Sequence, residues 1–526
     1  PKERDLQAHH DQLLVYWSRL RPRFMVLCNF HEFWIYDTDE EGGQNTPVKT
    51  FHISELPGNA GALNFLGGAE TFFAKSSAEV TREAAGYIGQ FLRDIIHRSP
   101  NAAADRPRYT KFTLECVFAM FAEDVGILPT KPFTQAMKSA QLSGDMSPVY
   151  NLFDDLGRAS ESDRSNLVPY VNGPLFDRDH PKVPVDKELL ANLFIAADKY
   201  DWQAVRPEVF GSIFERSLFP DERHSAGAHF TSEADIMKVV GPTIVRPWRE
   251  RIKACLSHKD IEQLIVRMQN YHVLDPACGS GNFLYVAYRE LKRLELELRN
   301  RHTELYRAKA MKRASDLKPP PPGPYFTIQQ LHGIDKLPEA VQLTRVVLWI
   351  AQYLANQELG LGEATLPLSP LEENVIEADA LFTEWFPREE DDERELAIVG
   401  NPPFMGRAKM RAAMGDEYID SVHKLFPNNR NADLVTYWYT QALVTLRDGE
   451  RAGFVSSNSI AQNESREASL DKIVASAGVI HDAWKSYPWP GEAAVHVSIV
   501  NWIQGEYGGS RYLNGHHVLE IPASLD

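Results

Sequence analysis

A four-residue stretch, Asn401-Pro402-Pro403-Phe404, combines an amide, two prolines and an aromatic ring. It follows the apolar run 396–399, which predicts a buried strand that ends in a tight turn. Two consecutive prolines cannot continue a sheet ladder, so the backbone leaves the strand on a fixed course. The Asn401 amide and a nearby backbone carbonyl can accept both hydrogens of a planar exocyclic amine, and the Phe404 ring can stack on a flat base. The stretch therefore predicts a pocket for the amine of a nucleic-acid base; the alternative is an ordinary loop.

A second candidate site is the segment 273–283, with the sequence VLDPACGSGNF. It has the pattern of a strand, a glycine loop and a helix that begins near Asn282, and this pattern brings backbone N–H groups close to a ligand. The segment lacks the Gly-Lys-Ser/Thr of a phosphate-binding P-loop, and Leu284 stands where a dinucleotide fingerprint needs a third Gly or Ala. S-adenosylmethionine fits better, because the Asp275 carboxylate can pair with its ammonium or sulfonium end.

Two further carboxylates follow predicted strands. Asp335 comes after the strand 331–334, where an acid can bind ribose hydroxyls, and Asp379 comes after the strand 375–378, where it can accept from the adenine amino group of the cofactor. Each acid alone could be a helix cap or a surface charge. Because they stand at successive strand ends ahead of Asn401, together they indicate one ligand site.

The rest of the chain changes character twice. Residues 1–60 predict a small α/β unit, and residues from about 76 to 220 have the apolar periodicity of packed helices. From about 221, strands alternate with helices, which predicts a doubly wound, mostly parallel sheet. The segment 405–430 is predicted as a loop that either holds DNA backbone or forms a mobile surface. Its cations are Arg407, Lys409, Arg411, Lys424 and Arg430.

Composition limits the function classes. The 526 residues suit two or three domains, and the formal charge of -16 opposes tight duplex binding by the chain as a whole, although a basic cleft on an acidic body is compatible with DNA. The four cysteines form no Cys-x-x-Cys pair, so neither a metal site nor a disulfide framework is predicted, and a reducing cytoplasm is expected. No apolar run approaches the ~20 residues that span a bilayer. The chain starts at Pro1 without a methionine, so we expect a fragment with residues upstream.

The motifs DPACGSGNF, GID, EADAL and NPPF, in that order, resemble those of the amino-group DNA methyltransferases. The stretch 227–232, Gly-Ala-His-Phe-Thr-Ser, resembles the segment that precedes the glycine loop in the gamma arrangement and caps the methionine end of the cofactor. The stretch 484–500 resembles the closing strand hairpin of that fold. More narrowly, nearly the whole chain resembles the MmeI-like (type IIL) restriction-modification enzymes, which consist of nuclease, helical connector, methyltransferase and target-recognition domains.

This resemblance implies an α/β, Rossmann-like S-adenosylmethionine-dependent methyltransferase fold, with a mostly parallel sheet, an antiparallel C-terminal hairpin and a preceding helical connector domain. It divides the chain into the end of a nuclease-like α/β domain (1–60), the helical connector (61–220), the DNA methyltransferase domain (221–505) and the start of a linker to a target-recognition domain (506–526). The nuclease and recognition functions would then lie mostly outside this chain, in the same polypeptide.

The resemblance also implies S-adenosyl-L-methionine as cofactor, double-stranded DNA as partner and no membrane association. The catalytic residues would be Asn401, Pro402, Pro403 and Phe404. The cofactor-binding residues would be His229, Phe230, Thr231, Asp275, Ala277, Gly279, Gly281, Asn282, Phe283, Asp335, Asp379, Ala380 and Asn401.

Asn at the first position of the NPPF motif resembles adenine-N6 enzymes, whereas Ser is commoner in cytosine-N4 enzymes. Cytosine-N4 methylation stays an alternative. A cytosine-C5 mechanism needs a Pro-Cys nucleophile, and the sequence contains no Pro-Cys. Two further alternatives are a protein glutamine methyltransferase, which uses a similar pocket, and a non-catalytic DNA-binding scaffold.

Overall fold

The computed structural model describes residues 22–29, 31–38, 45–55, 77–158, 168–171, 174–176, 185–202, 231–310, 321–360, 370–489 and 496–526, with a few isolated positions between them. No helix within these ranges combines the length and apolar character that crossing a bilayer requires. Within the small α/β unit predicted for residues 1–60, the structure has three antiparallel strands in the order β1-β2-β3. Their bounds are Phe24–Cys28 (β1), Glu32–Asp37 (β2) and Lys49–His52 (β3).

A helical region follows, as the 3.6-residue periodicity predicts. One apolar stripe lies on the second helix, and its residues are at most 2% exposed, so they belong to the hydrophobic core. They are Phe112, Cys116, Phe118 and Phe121. The helices are Ser77–Arg98 (α1), Ala102–Asp124 (α2), Pro132–Ser143 (α3), Ser147–Leu156 (α4) and Lys187–Lys199 (α5).

The C-terminal half contains a nine-stranded sheet with the order β12-β11-β9-β10-β8-β7-β4-β5-β6. The strands from β8 to β6 are mutually parallel, and β10 pairs antiparallel with both β8 and β9. The predicted mostly parallel sheet with an antiparallel C-terminal hairpin is therefore confirmed. The strands are Tyr271–Asp275 (β4), Leu331–Asp335 (β5), Val375–Glu377 (β6), Glu395–Gly400 (β7), Arg451–Ser457 (β8), Gly478–Pro488 (β9), His496–Gln504 (β10), Arg511–Leu513 (β11) and His516–Val518 (β12).

Helices cover both faces of this sheet. Successive residues of β4 point to opposite sides, so Val273 packs in one apolar cluster and Leu274 in the other. The helices are Glu233–Val240 (α6), Arg246–Ala254 (α7), His258–Gln269 (α8), Asn282–Ala310 (α9), Pro338–Leu359 (α10), Arg407–Met414 (α11), Asp416–Leu425 (α12), Val435–Thr445 (α13), Asn463–Ala468 (α14) and Leu470–Ala475 (α15).

The helical region contacts the sheet domain through α10. The Tyr353 hydroxyl donates to the carbonyl of Val125 at 2.6 Å, and the Tyr353 ring meets Phe121 edge to face with 5.7 Å between centroids. One continuous apolar cluster includes residues of both regions. The two regions therefore share packed core at this contact.

A buried ion pair holds the first residues of β7 beside β8. The carboxylate of Glu450 accepts from the Arg388 guanidinium and from the N–H groups of Leu396, at 2.8 Å, and Arg447, at 2.7 Å. The side chains of Arg388 and Glu450 are only 3% and 5% exposed. Removing one charge from such a pair leaves the other buried without compensation.

We expect Glu450→Gln to lower the free energy of unfolding by about 3 kcal/mol, because Arg388 keeps its buried charge. Urea titration followed by tryptophan fluorescence measures the change. Glu358→Gln is the matched control, since Glu358 pairs with Arg293 at the surface and should change stability by less than about 1 kcal/mol. Equal effects of the two substitutions would contradict the assignment.

Candidate active site

The structure brings four predicted site residues to one edge of the sheet. Asp275 ends β4 and Asp335 ends β5, while Asp379 follows β6 and Asn401 follows β7. These four strands are neighbours and parallel, in the order β7-β4-β5-β6. Because parallel strands end at the same edge, the four side chains lie along a single crevice, where open α/β sheets bind ligands.

Asp275 lies at the bottom of this crevice and is 1% exposed. Its Oδ1 accepts from the Ala277 N–H at 3.1 Å, and its Oδ2 has no hydrogen-bond partner within the described residues. Burial raises the pKa of the Asp275 carboxyl to about 8, although the bond from Ala277 opposes the shift. A buried carboxyl with a free oxygen is suited to a cationic ligand, which would restore its ionised form.

The backbone of β7 runs directly against this carboxyl. A Cβ atom on Gly400 would lie 2.6 Å from Asp275 Oδ1, so only glycine allows the approach. Gly400 therefore sets the distance between the Asp275 carboxyl and the turn that begins at Asn401.

The glycine loop is held from two sides. Gly279 has a φ of 53°, and its N–H donates to Asp335 Oδ2 at 2.9 Å. Gly281 has a φ of 80°, and a Cβ there would lie 3.0 Å from the Thr344 side chain of α10. The Thr344 hydroxyl also donates to the Gly279 carbonyl at 3.0 Å. The loop conformation thus requires glycine and is set by contacts with distant parts of the chain.

The other predicted residues of this loop differ in exposure and role. Asn282 begins α9, is 7% exposed, and its Oδ1 has no partner among the described residues. Phe283 is buried in an apolar cluster, and Ala277 packs against the other cluster together with buried Ala380. Asn282 therefore offers a polar group to a ligand, whereas Phe283 and Ala380 shape the surrounding wall.

Asp335 and Asp379 both accept hydrogen bonds from neighbouring groups of the protein. The oxygens of Asp335 accept from the N–H groups of Gly279 and Leu337, each at 2.9 Å, and burial raises the pKa of its carboxyl. Asp379 accepts from the Leu381 N–H at 3.0 Å and from the Lys336 ammonium at 3.1 Å. Each acid is held in place by these bonds before any ligand binds.

The NPPF turn places its polar group in the same crevice. The Asn401 side-chain N–H₂ donates to the Thr231 hydroxyl at 3.4 Å, and its Oδ1 is buried without a partner in the described part of the chain. Pro402 is buried, while Pro403 and Phe404 are half-buried. The Phe404 ring packs against both apolar clusters, which lie on opposite faces of the sheet, so it is located at the sheet edge between them. His229 and Phe230 lie outside the described residues.

Sequence reasoning missed Asp433, which organises the chain after the turn. Its carboxylate accepts from the N–H of Met405 at 3.1 Å and from the Ser457 hydroxyl at 3.2 Å. The Leu434 N–H in turn donates to the Met405 carbonyl at 3.0 Å. Burial raises the pKa of Asp433. Its sequence signal is weak: it is an acid two residues before α13, next to the N-cap position, which Leu434 occupies.

The segment 405–430 was predicted as a loop, and this prediction is wrong. It contains the helices α11 and α12, separated by Gly415, and Ile419 and Val422 of α12 are buried. Arg411 pairs with Asp416 at 2.9 Å and Asp420 at 2.6 Å, so its charge is compensated within the segment. No group of three His, Cys, Asp or Glu side chains in the described ranges is placed to hold a metal ion.

We expect Gly400→Ala to displace the Asp275 carboxyl and to lower the free energy of unfolding by about 1–3 kcal/mol, as overpacking of a core does. Thermal unfolding measures the change. Gly406→Ala is the control, because a Cβ at Gly406 meets no atom within 4 Å. A Gly400→Ala chain as stable as the control would contradict the close approach of the two strands.

The raised pKa of Asp275 predicts a pH dependence of stability. A carboxyl whose folded pKa is above its unfolded value stabilises the chain when protonated, and this contribution is lost as the pH rises through about 8. Between pH 6 and 8, we expect the parent chain to lose about 2 kcal/mol more unfolding free energy than Asp275→Asn. Urea titrations across this range test it.

Asp260→Asn provides the control for this pH dependence. Backbone N–H bonds from Leu256 and Ser257 lower the pKa of Asp260, which is partly exposed, so it stays ionised from pH 6 to 8. The control should therefore keep the pH slope of the parent chain. Parallel slopes for the parent chain and Asp275→Asn would show that the buried carboxyl is ionised throughout.

Three protein-family models match: the MmeI N-terminal domain at residues 2–98, the MmeI helicase spacer domain at 108–176 and the MmeI DNA-methyltransferase domain at 252–513. "DNA methyltransferase A" of Bacillus subtilis (strain 168) is 27% identical over 430 residues, which cover 79% of this chain and 47% of that protein. A putative type II restriction enzyme and methyltransferase of Methanocaldococcus jannaschii is 22% identical over 341 residues, which cover 52% of this chain and 28% of that protein.

Among solved structures, the type IIL restriction-modification enzyme MmeI in complex with DNA superposes with a TM-score of 0.68 at 25% identity, covering 84% of this chain and 61% of that one. The chain spans less than two thirds of the length of each of these relatives. The three matching models are all MmeI domains and follow one another along the sequence. The chain therefore belongs to the MmeI-like, type IIL restriction-modification family, and residues 252–513 form its DNA-methyltransferase domain.

Proposed function

We propose that this chain transfers a methyl group from S-adenosylmethionine to the N6 amine of adenine in DNA. The observation that carries the proposal is the buried Oδ1 of Asn401, which has no hydrogen-bond partner among the described residues and lies at the same sheet edge as the Oδ2 of Asp275, which also has none there. A buried acceptor without a donor costs free energy of about 1–3 kcal/mol, so the two oxygens call for donors from ligands. The donor to Asn401 Oδ1 would be the amine of the target base, and the donor to Asp275 Oδ2 would be a cationic group of the cofactor.

The residues present fit the proposed cofactor. The Asp275 and Asn282 oxygens can accept from its ammonium group, the Gly279 and Gly281 backbone leaves room for close approach, and Asp335 lies where ribose hydroxyls would be bound. Bound S-adenosylmethionine supplies an electrophilic methyl group on a sulfonium. The predicted site also includes His229, Phe230 and Thr231, of which Thr231 contacts Asn401.

The target pocket promotes methyl transfer mainly by holding the base and its amine in position. A base must rotate out of the duplex before its amine can reach a site of this depth. Asn401 Oδ1 and the Pro402 carbonyl accept the two amine hydrogens, and Phe404 stacks on the ring. These bonds draw the nitrogen lone pair out of ring conjugation and direct it at the methyl donor. A strong general base is unnecessary, because the amine loses its proton after it has become positively charged.

DNA is the proposed partner. A solved relative is described in complex with DNA, and exposed Arg407 and Lys409 follow the NPPF turn directly, where they can contact phosphate beside the pocket. We retain the proposed division into the end of a nuclease-like domain (1–60), a helical connector (61–220), the methyltransferase domain (221–505) and a linker (506–526). Restriction and target recognition are proposed for the whole protein.

We expect Asn401→Ala to abolish methyl transfer while leaving S-adenosylmethionine binding largely intact, because the cofactor keeps its contacts with Asp275 and Asp335. The protein is incubated with unmethylated DNA and cofactor, and the digested nucleosides are identified by mass spectrometry. N6-methyladenine from the parent protein supports the proposal, whereas N4-methylcytosine would keep the pocket and change the base.

Asn374→Ala is the matched control, because Asn374 precedes β6 at the opposite edge of the sheet and its side chain bonds only the Gln329 carbonyl in the described structure. Its activity should equal that of the parent protein. An Asn401→Ala variant with the parent rate would refute the pocket.

A further inference from the structure

Tyr418 of α12 reaches across the crevice to a proposed cofactor residue. Its hydroxyl donates to Asp379 Oδ2 at 2.8 Å. The Lys336 ammonium lies 3.1 Å from the same oxygen and 4.4 Å above the centre of the Tyr418 ring. Phe382, which is 47% exposed, meets the Tyr418 ring edge to face with 5.7 Å between centroids. Lys336 and Tyr418 thus meet at the Asp379 carboxylate, and Phe382 packs against the Tyr418 ring.

This cluster contains one proposed cofactor acid, Asp379, and adjoins the other, Asp335, in sequence. Lys336 follows Asp335 directly, and Phe382 follows Asp379 by three residues. Burial and the bond to Asp379 raise the pKa of the Tyr418 phenol, so it remains a neutral donor at all ordinary pH values. A neutral hydroxyl and an ammonium that both bond one oxygen fix the orientation of the carboxylate.

Tyr418 belongs to the segment that starts at the target pocket. A backbone hydrogen bond of 3.0 Å joins residues 405 and 434. The segment between them, which contains α11 and α12, therefore starts and ends beside the NPPF turn. Between these two ends, the segment contacts the proposed cofactor residue Asp379 through Tyr418. One short segment is therefore in contact with both halves of the site.

We propose that Tyr418 is a positioning residue that orients Asp379 toward the adenine ring of the cofactor and holds the α11–α12 segment over the cofactor side of the crevice. This inference rests on the proposed function. A hydrogen bond from Tyr418 keeps Asp379 Oδ2 directed, so the carboxylate accepts the adenine amine without reorganisation. Cofactor affinity is then set in part by the segment that follows the target pocket.

Tyr418→Phe removes the hydroxyl and keeps the ring. We expect the dissociation constant for S-adenosylmethionine, measured by calorimetry, to rise about 10-fold. The rate of methyl transfer at saturating cofactor should stay within about twofold of the parent value, because the target pocket is unchanged. Tyr437→Phe is the matched control: Tyr437 is buried, donates to the Asn429 carbonyl at 3.1 Å, and should leave both quantities unchanged.

A double-mutant cycle decides whether Tyr418 acts through Asp379. In an Asp379→Ala background, Tyr418→Phe should cause no further loss of affinity. Parent-like affinity of Tyr418→Phe, an equal loss in both backgrounds, or a matching fall in rate at saturating cofactor would overturn the inference and leave the proposed function standing. Failure of the parent protein to bind S-adenosylmethionine would overturn both.

Discussion

The close approach of the Asp275 carboxyl to the Gly400 backbone is the constraint on which the site depends. From β4, the chain adds β5 and β6 on one side, and it then returns to add β7 and β8 on the other side of β4. The strand order therefore reverses between β4 and β7. At such a switch point the connections leave the strand ends on opposite sides, and a crevice opens between them. Here Asp275 fills the bottom of the crevice, and the absence of a side chain at Gly400 lets β7 pass beside it.

The same geometry explains why an amide stands at position 401. Burial raises the pKa of the Asp275 carboxyl to about 8, with a smaller contribution from Asp335, and a further carboxylate at position 401 would raise it again. An amide oxygen accepts hydrogen bonds without adding charge to this low-dielectric edge. Its N–H₂ group meanwhile bonds Thr231, so the Oδ1 atom faces the crevice in the described structure. The residue type at 401 thus follows from its neighbour across the strands.

Much of this arrangement could be predicted from the sequence because strand ends are local features. Asp275, Asp335, Asp379 and Asn401 each follow an apolar run, and parallel pairing alone brings such positions to one edge. Thr344, Tyr418 and Asp433 could not be found this way, since the hydrogen-bond partners described above are between 24 and 65 residues away in sequence. The helices α11 and α12 were missed because eight and ten residues, interrupted by Gly415, give too short an apolar period.

Helix α10 joins the glycine loop to the helical region. Thr344 near its start contacts Gly279 and Gly281, and Tyr353, nine residues further on, bonds the Val125 carbonyl. An α-helix rises about 1.5 Å per residue, so the two contacts are about 14 Å apart along one rigid element. The loop lies close against α10, because a Cβ atom at Gly281 would be only 3.1 Å from the Thr344 Cα, and the Thr344 hydroxyl bonds the Gly279 carbonyl. Any shift of α10 against the helical region must therefore move the backbone that shapes the crevice.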